Sequence, residues 1–323
     1  MPAAPTLISE RDFVALTLDR PPTLIDPWLA PGSITLLFGP PSAGKTMVTL
    51  STARALATGA TLWDAFPCVK SRVLIVQADM ATVGYHERLK ASAASASDQI
   101  QLLLTDGAMF DVLRAKPTDA HIAAAREFAP AVVFVDTLRK THLLDENESL
   151  AADRVYDAWR HLFPGAALVF LHHARKIPTQ VSAHDVVVRE AFRGNTAWAA
   201  SADTLLMLRR VRKQGEPGWL ARLSFVRTRG CEEPAPLLLT LTENLLLEPA
   251  PSAVGDMLAT WFRQHPTAPK SDAVHMLMAL VDDEGEPRFS RATAYRMVTT
   301  FGGKRSSQMA SHGGSETVRR ETP

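Results

Sequence analysis

The sequence predicts a doubly wound α/β domain, in which helices cover both faces of a mainly parallel β-sheet, followed by a small helical module. Two observations predict it. Four runs between Ser33 and Glu248 are continuously apolar, as strands buried on both faces are: SITLLF, SRVLIVQ, AVVFVD and AALVFLHH. Segments with helical spacing lie between these runs, and such alternation is typical of a doubly wound sheet.

The spacing of apolar residues and the positions of turn-forming residues also predict the helices and the later strands. The helical segments are, in chain order, TMVTLSTARALATG, TVGYHERLKASAASAS, HIAAAREFA and LAADRVYDAWRHLF. Turn-rich KQGEPG and GCEEPAP then separate SADTLLMLRRV, WLARLSFVRTR and PLLLTLTENLLLE. We expect these last three segments to be antiparallel strands that close one edge of the sheet.

Proline and small residues cluster at EPAPSAVG, which predicts a domain boundary. Beyond it, SAVGDMLATWFRQH, SDAVHMLMALVDDEG and SRATAYRMVTTF predict three short helices, with a serine capping each of the last two. The polar, Gly/Ser-rich end predicts disorder. The resulting organisation is an N-terminal segment 1–22, an α/β domain 23–249, a helical module 250–302 and a disordered tail 303–323.

Composition excludes several classes of protein. The formal net charge is +1, from 35 basic and 34 acidic residues, so any nucleic-acid surface must be a local patch. Two distant cysteines argue against a disulfide framework or a zinc cluster and fit a reducing cytosol. The N-terminus lacks the apolar core of a signal peptide, and no apolar run reaches the length of a membrane span. We expect a cytoplasmic protein with no membrane partner.

A phosphate-binding loop follows the first apolar run. The stretch GPPSAGKT satisfies the pattern GxxxxGK[ST], with a strand before it and a helix after it. Gly39 and Gly44 let the backbone curl so that its N–H groups face a phosphate, Lys45 reaches the β- and γ-phosphates, and the Thr46 hydroxyl ligates Mg²⁺. The predicted nucleotide-contacting segment is Gly39, Pro40, Pro41, Ser42, Ala43, Gly44, Lys45, Thr46 and Met47.

Three further strand ends carry polar side chains that belong near such a loop. Asp136 ends AVVFVD and is the candidate for organising the metal, although an aspartate there also suits the cap of the next segment. Asp79 follows VLIVQA and is the candidate for orienting the attacking water; a turn or cap is the alternative. LVFLHHARK is a further strand end that carries His172, His173 and Lys176, and the histidines are either a phosphate sensor or an exposed loop pair.

The order of these motifs resembles that of the RecA-like hexameric ATPases, and most nearly the plasmid-replication RepA-type helicases and related phage and mobile-element ATPases. The runs that carry the resemblance are GPPSAGKT, VLIVQADM, VVFVDTLRKTHLLDENES, LVFLHHARK and FRGNTAWAASADTLL. It covers roughly residues 22–245 and is most specific in DTLRKTHLLDENES and FLHHARK. It implies a RecA-like core that binds ATP and Mg²⁺ at the interfaces of a homo-oligomeric ring, expected to be a hexamer, that moves along single-stranded DNA.

The resemblance also implies roles for single residues. The family's water-activating glutamate corresponds to Asp79, which is one methylene shorter, and His173 matches a strand-end sensor of the γ-phosphate. The family's Lys-x-Arg pair, which reaches the neighbouring subunit's γ-phosphate, corresponds to Arg227 and Arg229 in SFVRTRG. Arg229 is the expected trans-acting finger; two solvated arginines on an edge strand are the alternative.

DNA contact is implied for the loop from Ala174 to Asn195, and an unliganded mobile loop is the alternative. The cations of this loop are Arg175, Lys176, Arg189 and Arg193. The module 250–302 resembles a winged-helix or helix-turn-helix unit in which Arg291, Tyr295 and Arg296 face outward, and a protein-docking module explains it equally well.

Two functions remain open at this point. The first is an ATP-hydrolysing DNA helicase or translocase that replicates a plasmid or mobile element, with an initiator or other replication or recombination protein as a further partner. The second is an ATP-gated DNA-binding assembly factor or regulator that does not unwind DNA. A P-loop kinase is a distant third alternative, because nothing in the sequence resembles a lid or an acceptor-substrate motif.

Overall fold

The computed structural model divides the chain into two compact units, Met1–Pro249 and Ala250–Pro323. In the first unit it describes residues 7–17, 22–92, 96–173, 196–211 and 219–249. In the second unit it describes residues 250, 258, 261–262, 264–265, 268–279, 291, 294–295 and 297–299.

A nine-stranded sheet forms the centre of the first unit, in the spatial order β3-β2-β4-β5-β1-β6-β7-β8-β9. The strands are β1 (Ile34–Gly39), β2 (Val73–Gln77), β3 (Ile100–Leu104), β4 (Val132–Asp136), β5 (Ala167–His173), β6 (Thr204–Arg210), β7 (Leu220–Thr228), β8 (Leu237–Leu241) and β9 (Leu247–Pro249). Strands β1 to β6 pair in parallel, and β7 to β9 continue the sheet by antiparallel pairing. The predicted fold class of a mainly parallel α/β core is therefore confirmed.

Helices cover both faces of this sheet. Those of the first unit are α1 (Glu10–Ala15), α2 (Lys45–Thr58), α3 (Thr82–Ala91), α4 (Ala120–Glu127), α5 (Ser149–Leu162) and α6 (Ala197–Ala200), with a 3-10 helix at Leu138–Thr141. The helices α2 and α3 pack on one face and α4 and α5 on the other, each with its own buried cluster. Alternate residues of β1 enter opposite clusters, as Leu36 and Leu37 do, which is why the strand is apolar throughout.

The later strands differ in one respect from the prediction. The segment SADTLLMLRRV forms β6. On one side β6 pairs in parallel with β1, and on the other side it pairs in antiparallel fashion with β7. The segment PLLLTLTENLLLE makes two strands, because a turn closed by the Leu245 N–H and the Thr242 carbonyl oxygen separates β8 from β9. The prediction that all three segments are antiparallel is therefore wrong for the pairing of β6 with β1, which is parallel.

The second unit contains α7 (Lys270–Met278), which begins one residue before the second of the three predicted helical segments and overlaps its first half. Its buried cluster comprises Leu258, Phe262, Ala273, Val274, Leu277, Ala294 and Val298. The predicted serine cap is wrong for this helix, because the N-cap is Pro269 and Ser271 lies inside the first turn. The predicted disordered tail 303–323 lies outside the described residues. Within the described part of the chain, none of the helices combines the length and apolar content that a bilayer crossing requires.

Candidate nucleotide-binding site

The carboxyl ends of four parallel strands lie side by side along one edge of the sheet. By this edge we mean the side formed by the strand ends and not an outermost strand. In the strand register Gly39 lies beside His173, and Gln77 lies beside Asp136. This edge is where ligands bind in open α/β sheets. The sequence-predicted residues at the ends of β1, β2, β4 and β5 are thus brought together by the fold.

Both glycines of the loop between β1 and α2 are required by close approaches. Gly44 has a φ of +100°, a conformation that L side chains rarely adopt, and it precedes the first residue of α2. A Cβ atom at Gly44 would collide with the indole ring of Trp219, and one at Gly39 would collide with the carbonyl oxygen of Leu208. The hairpin of β6 and β7 therefore packs directly against the loop.

Lys45 is the first residue of α2, and its side chain turns back into the loop. Its Nζ donates to the carbonyl oxygens of Gly39 at 2.9 Å and Pro40 at 3.0 Å, and it lies 3.3 Å from Nδ1 of His173. Burial lowers the pKa of Lys45 to about 8, and the charges of Asp136 and Asp79 oppose that shift. The ammonium group is thus held at the sheet edge, with little solvent, where a phosphate would pair with it.

This lowered pKa predicts a pH dependence of nucleotide binding. The ammonium form needed to pair with a phosphate is present below about pH 8 in the free protein and is lost as the pH rises through that value. We therefore expect the Kd for ATP to change little from pH 6.5 to 7.5 and to rise about fivefold between pH 8 and 9. Fluorescence titration with a labelled ATP analogue measures it. The Lys45→Met variant is the control; an equally steep rise in that variant would contradict the assignment.

Asp136 ends β4 and lies beside the first turn of α2. Its Oδ2 accepts a hydrogen bond from the Thr46 hydroxyl at 2.8 Å and one from Nε2 of Gln77 at 3.2 Å. Burial raises the pKa of Asp136, and the Thr46 hydrogen bond opposes that effect. A hydroxyl and a carboxylate are oxygen ligands of the kind Mg²⁺ prefers, and Mg²⁺ usually takes its remaining ligands from water and phosphate. Thr46 and Asp136 therefore fit the predicted Mg²⁺ site.

Asp79 lies two residues beyond β2 and is exposed at the same edge. Its backbone N–H donates to the Asp136 carbonyl oxygen at 3.2 Å and to Oε1 of Gln77 at 2.8 Å. Sequence reasoning missed Gln77. The available signal was an amide at the end of an otherwise apolar strand, but its partners depend on the pairing of β2 with β4.

The two histidines that end β5 occupy different environments. His173 is beside Lys45, as described above. His172 is buried, and its Nδ1 lies 4.0 Å from a carboxylate oxygen of Glu146. The indole N–H of Trp198, in α6, donates to the Glu146 carbonyl oxygen at 3.2 Å. Only His173 of the pair is therefore placed by these contacts at the loop, which agrees with its choice as the sensor; that role stays a prediction.

The two predicted phosphate-contacting arginines lie at the opposite edge of the sheet, where the parallel strands begin. Arg227 pairs in register with Leu205, near the start of β6, and Arg229 follows β7. The Arg227 guanidinium donates to the carbonyl oxygens of Ala199 and Ala202, and burial lowers its pKa.

Arg229 is the more accessible of the two. Its side chain is 55 % exposed, donates to the Ala200 carbonyl oxygen at 2.7 Å and lies 3.6 Å from Asp203. Neither arginine is brought to the loop of its own subunit.

Other predicted residues fall partly beyond the described chain. Arg175, Lys176, Arg189 and Arg193, the proposed DNA contacts, lie outside the described residues, as does Arg296. Arg291 and Tyr295 are described and exposed in the second unit. Within the described ranges no group of three or more His, Cys, Asp or Glu side chains has the arrangement of a metal site.

Comparison with known proteins agrees with this architecture. The family model of the AAA domain, AAA_25, matches residues 3–178, more than half of the chain. Similar solved structures include the ATPase domain of G40P, with 14 % identity and a TM-score of 0.48 over 67 % of this chain and 84 % of that one. The RadB recombinase has 18 % identity and a TM-score of 0.45 over 68 % and 91 %.

A third similar structure is the KaiC-like protein PH0186 from the hyperthermophilic archaeon Pyrococcus horikoshii OT3. It has 13 % identity and a TM-score of 0.49 over 70 % of this chain and 94 % of that one. The family match covers the loop, both strand-end aspartates and the histidine pair. The chain belongs to the AAA domain family, and the family match includes the P-loop at the start of α2 in the mainly parallel α/β core.

Proposed function

We propose that this protein is a ring-forming DNA helicase or translocase that hydrolyses ATP and moves along single-stranded DNA during replication of a plasmid or mobile element. One observation carries the proposal. Lys45, Asp136 and His173 meet at one edge of the sheet, whereas Arg227 and Arg229 lie at the other. Each subunit thus has one half of a hydrolytic site on each side, an arrangement that suits a ring.

The cis half of the site provides phosphate binding and water activation. Lys45 and the backbone N–H groups of the loop hold the phosphates, and Thr46 and Asp136 hold Mg²⁺ through oxygen atoms. When bound, ATP with Mg²⁺ supplies the phosphoryl group that is transferred to water. Asp79 orients or deprotonates that water from the exposed end of β2.

The trans half of the site is supplied by Arg229. Arg229 lies level with the start of β1, and β1 runs five residues from its start to Gly39. At the usual rise of a strand this separation is about 16 Å. That distance is too long for Arg229 to serve its own loop. A guanidinium lent by the next subunit stabilises the charge that develops on the transferred group, and hydrolysis then requires assembly.

DNA contact is coupled to the nucleotide through His173. This residue is beside Lys45 and is the last residue of β5, directly before residues 174–195, which the sequence predicts to contact DNA. A phosphate that pairs with Lys45 competes with the contact between Lys45 and His173. The position of His173, which precedes the predicted DNA-contacting residues, therefore depends on the nucleotide. Arg175, Lys176, Arg189 and Arg193 then contact DNA phosphates, which gives salt-dependent binding with little sequence preference.

The second candidate function is a nucleotide-dependent assembly switch that binds DNA without unwinding it. Asp79 favours it, because a carboxylate one methylene shorter than glutamate reaches less far towards the attacking water. Slow hydrolysis suits a switch, since the ATP-bound assembly then persists.

Hydrolysis measured with and without single-stranded DNA separates the two functions. For a motor we expect DNA to raise kcat at least about tenfold, with strand separation on a forked duplex that requires ATP. The mass of the particle is measured in parallel, with an ATP analogue and an oligonucleotide, to show ring assembly. Lys45→Met is the control for contaminating ATPases. Hydrolysis that stays slow with DNA, together with no strand separation, would favour the switch over the motor.

A further inference from the structure

The side-chain amide of Gln77 connects the two acidic positions of the site. Its Nε2 donates to Oδ2 of Asp136 at 3.2 Å. Its Oε1 accepts from the backbone N–H of Asp79 at 2.8 Å and from that of Met80 at 3.2 Å. Gln77 is 1 % exposed, so these partners are not replaced by water.

The partners fix the orientation of this amide. A carboxylate oxygen only accepts hydrogen bonds, and a backbone N–H only donates them. Exchanging the oxygen and nitrogen of Gln77 would place oxygen against the Asp136 carboxylate and NH₂ against two N–H donors. One orientation alone therefore satisfies all three contacts, and the amide is held rigidly between the two strand ends.

Other side chains of this size cannot make the same bridge. Glutamate would place a second negative charge beside the buried Asp136 carboxylate, and methionine has neither the donor nor the acceptor. Asparagine is one methylene too short to span the same two partners. The site thus uses a group that donates at one end and accepts at the other.

We propose that Gln77 is a positioning residue that fixes the Asp79 backbone, and with it the Asp79 carboxylate, relative to Asp136 and its metal. This inference rests on the proposed ATP hydrolysis, with Asp79 as the water-orienting group. Asp79 itself is exposed, so its side chain has little packing to hold it, and the turn that carries it needs another constraint. The Gln77 bridge supplies it from the side-chain level, in addition to the hydrogen bond from the Asp79 backbone N–H to the Asp136 carbonyl oxygen.

The first test replaces Gln77 with an isosteric apolar side chain. We expect Gln77→Met to lower kcat about 10- to 100-fold, because small misplacements of a reacting group have effects of this size. The KM for ATP, and the Kd of a labelled ATP analogue with Mg²⁺, should stay within about twofold, since Lys45 and Thr46 are unchanged. Gln101→Met, on the exposed side of the neighbouring strand β3, is the matched control.

The second test asks whether Gln77 acts through Asp79. In a double-mutant cycle, Gln77→Met should lower kcat further by no more than about twofold when Asp79 is already alanine, because residues that act as a unit are not additive. A purely structural amide would lower kcat by the same factor in both backgrounds, and this outcome would overturn the proposal. Thermal unfolding of each variant shows that the comparison is between folded proteins.

The outcomes separate this inference from the proposed function. If the wild-type protein does not hydrolyse ATP under any DNA condition, the proposed function is wrong, and the positioning role that rests on it is overturned with it. If the wild type hydrolyses ATP and Gln77→Met keeps kcat within twofold of it, the positioning role is wrong and the proposed hydrolysis stands. A rise in the Kd for ATP with unchanged kcat would also overturn the positioning role, because it would place Gln77 in ground-state binding.

Discussion

Lys45→Met is expected to lower ATP turnover by at least about a thousandfold and to weaken ATP binding. The lysine ammonium is the cation that the structure holds inside the loop, between the Gly39 and Pro40 carbonyl oxygens and His173. Methionine has a similar length and fills the same space without the charge. Steady-state hydrolysis and titration with a labelled ATP analogue measure the two effects.

Loss of folding does not explain this expected result. Lys45 is 7 % exposed, and the lowered pKa shows that burial opposes its charge. A neutral side chain of similar volume at this position should therefore leave the thermal midpoint of the free protein unchanged or raise it. Lys116→Ala, at an exposed lysine, is the control for the general loss of a positive charge. If Lys45→Met hydrolysed ATP at the wild-type rate, the loop would not be the catalytic site.

The core of the fold is predictable because its strands are buried on both faces. Continuous apolar runs mark β1, β2, β4 and β5, and each was predicted from the sequence. Strand β3 was missed, since it is an outermost strand of the sheet with Gln101 and Leu102 exposed, and it lacks a long apolar run. Helix α1 was missed as well, because it is six residues long and buries none of them.

The predicted site depends on a rule about strand ends, and that rule has a limit. It places Asp136 and His173 at the edge where β1 ends, because parallel strands end on the same side. It does not show which strand lies beside which, so the contact between Gln77 and Asp136 was not predictable. The direction of β7 was also needed to place Arg229 at the far edge, and that direction follows from its antiparallel pairing with β6.

Arg229→Ala is expected to lower turnover about a thousandfold while the Kd for ATP stays within about threefold of the wild-type value. The reason is that an arginine at the edge opposite the loop meets ATP only across a subunit interface. Its local contacts, to the Ala200 carbonyl oxygen and to Asp203, are exposed and contribute little stability. Arg160→Ala is a matched control: that arginine is 48 % exposed and lies 3.8 Å from one aspartate oxygen, as Arg229 lies 3.6 Å from another.

Mixing two inactive variants shows whether Arg229 acts between subunits. Lys45→Met keeps the arginine and lacks the loop lysine, and Arg229→Ala has the reverse defect. In a ring assembled at random from equal amounts, about one interface in four joins an intact loop to an intact arginine. Turnover should therefore return to a clear fraction of the wild-type rate, measured beside the mass of the mixed particle. If mixed rings form and remain inactive, the arginine does not complete a neighbour's site; if Arg229→Ala alone is fully active as a monomer, hydrolysis does not need a partner subunit.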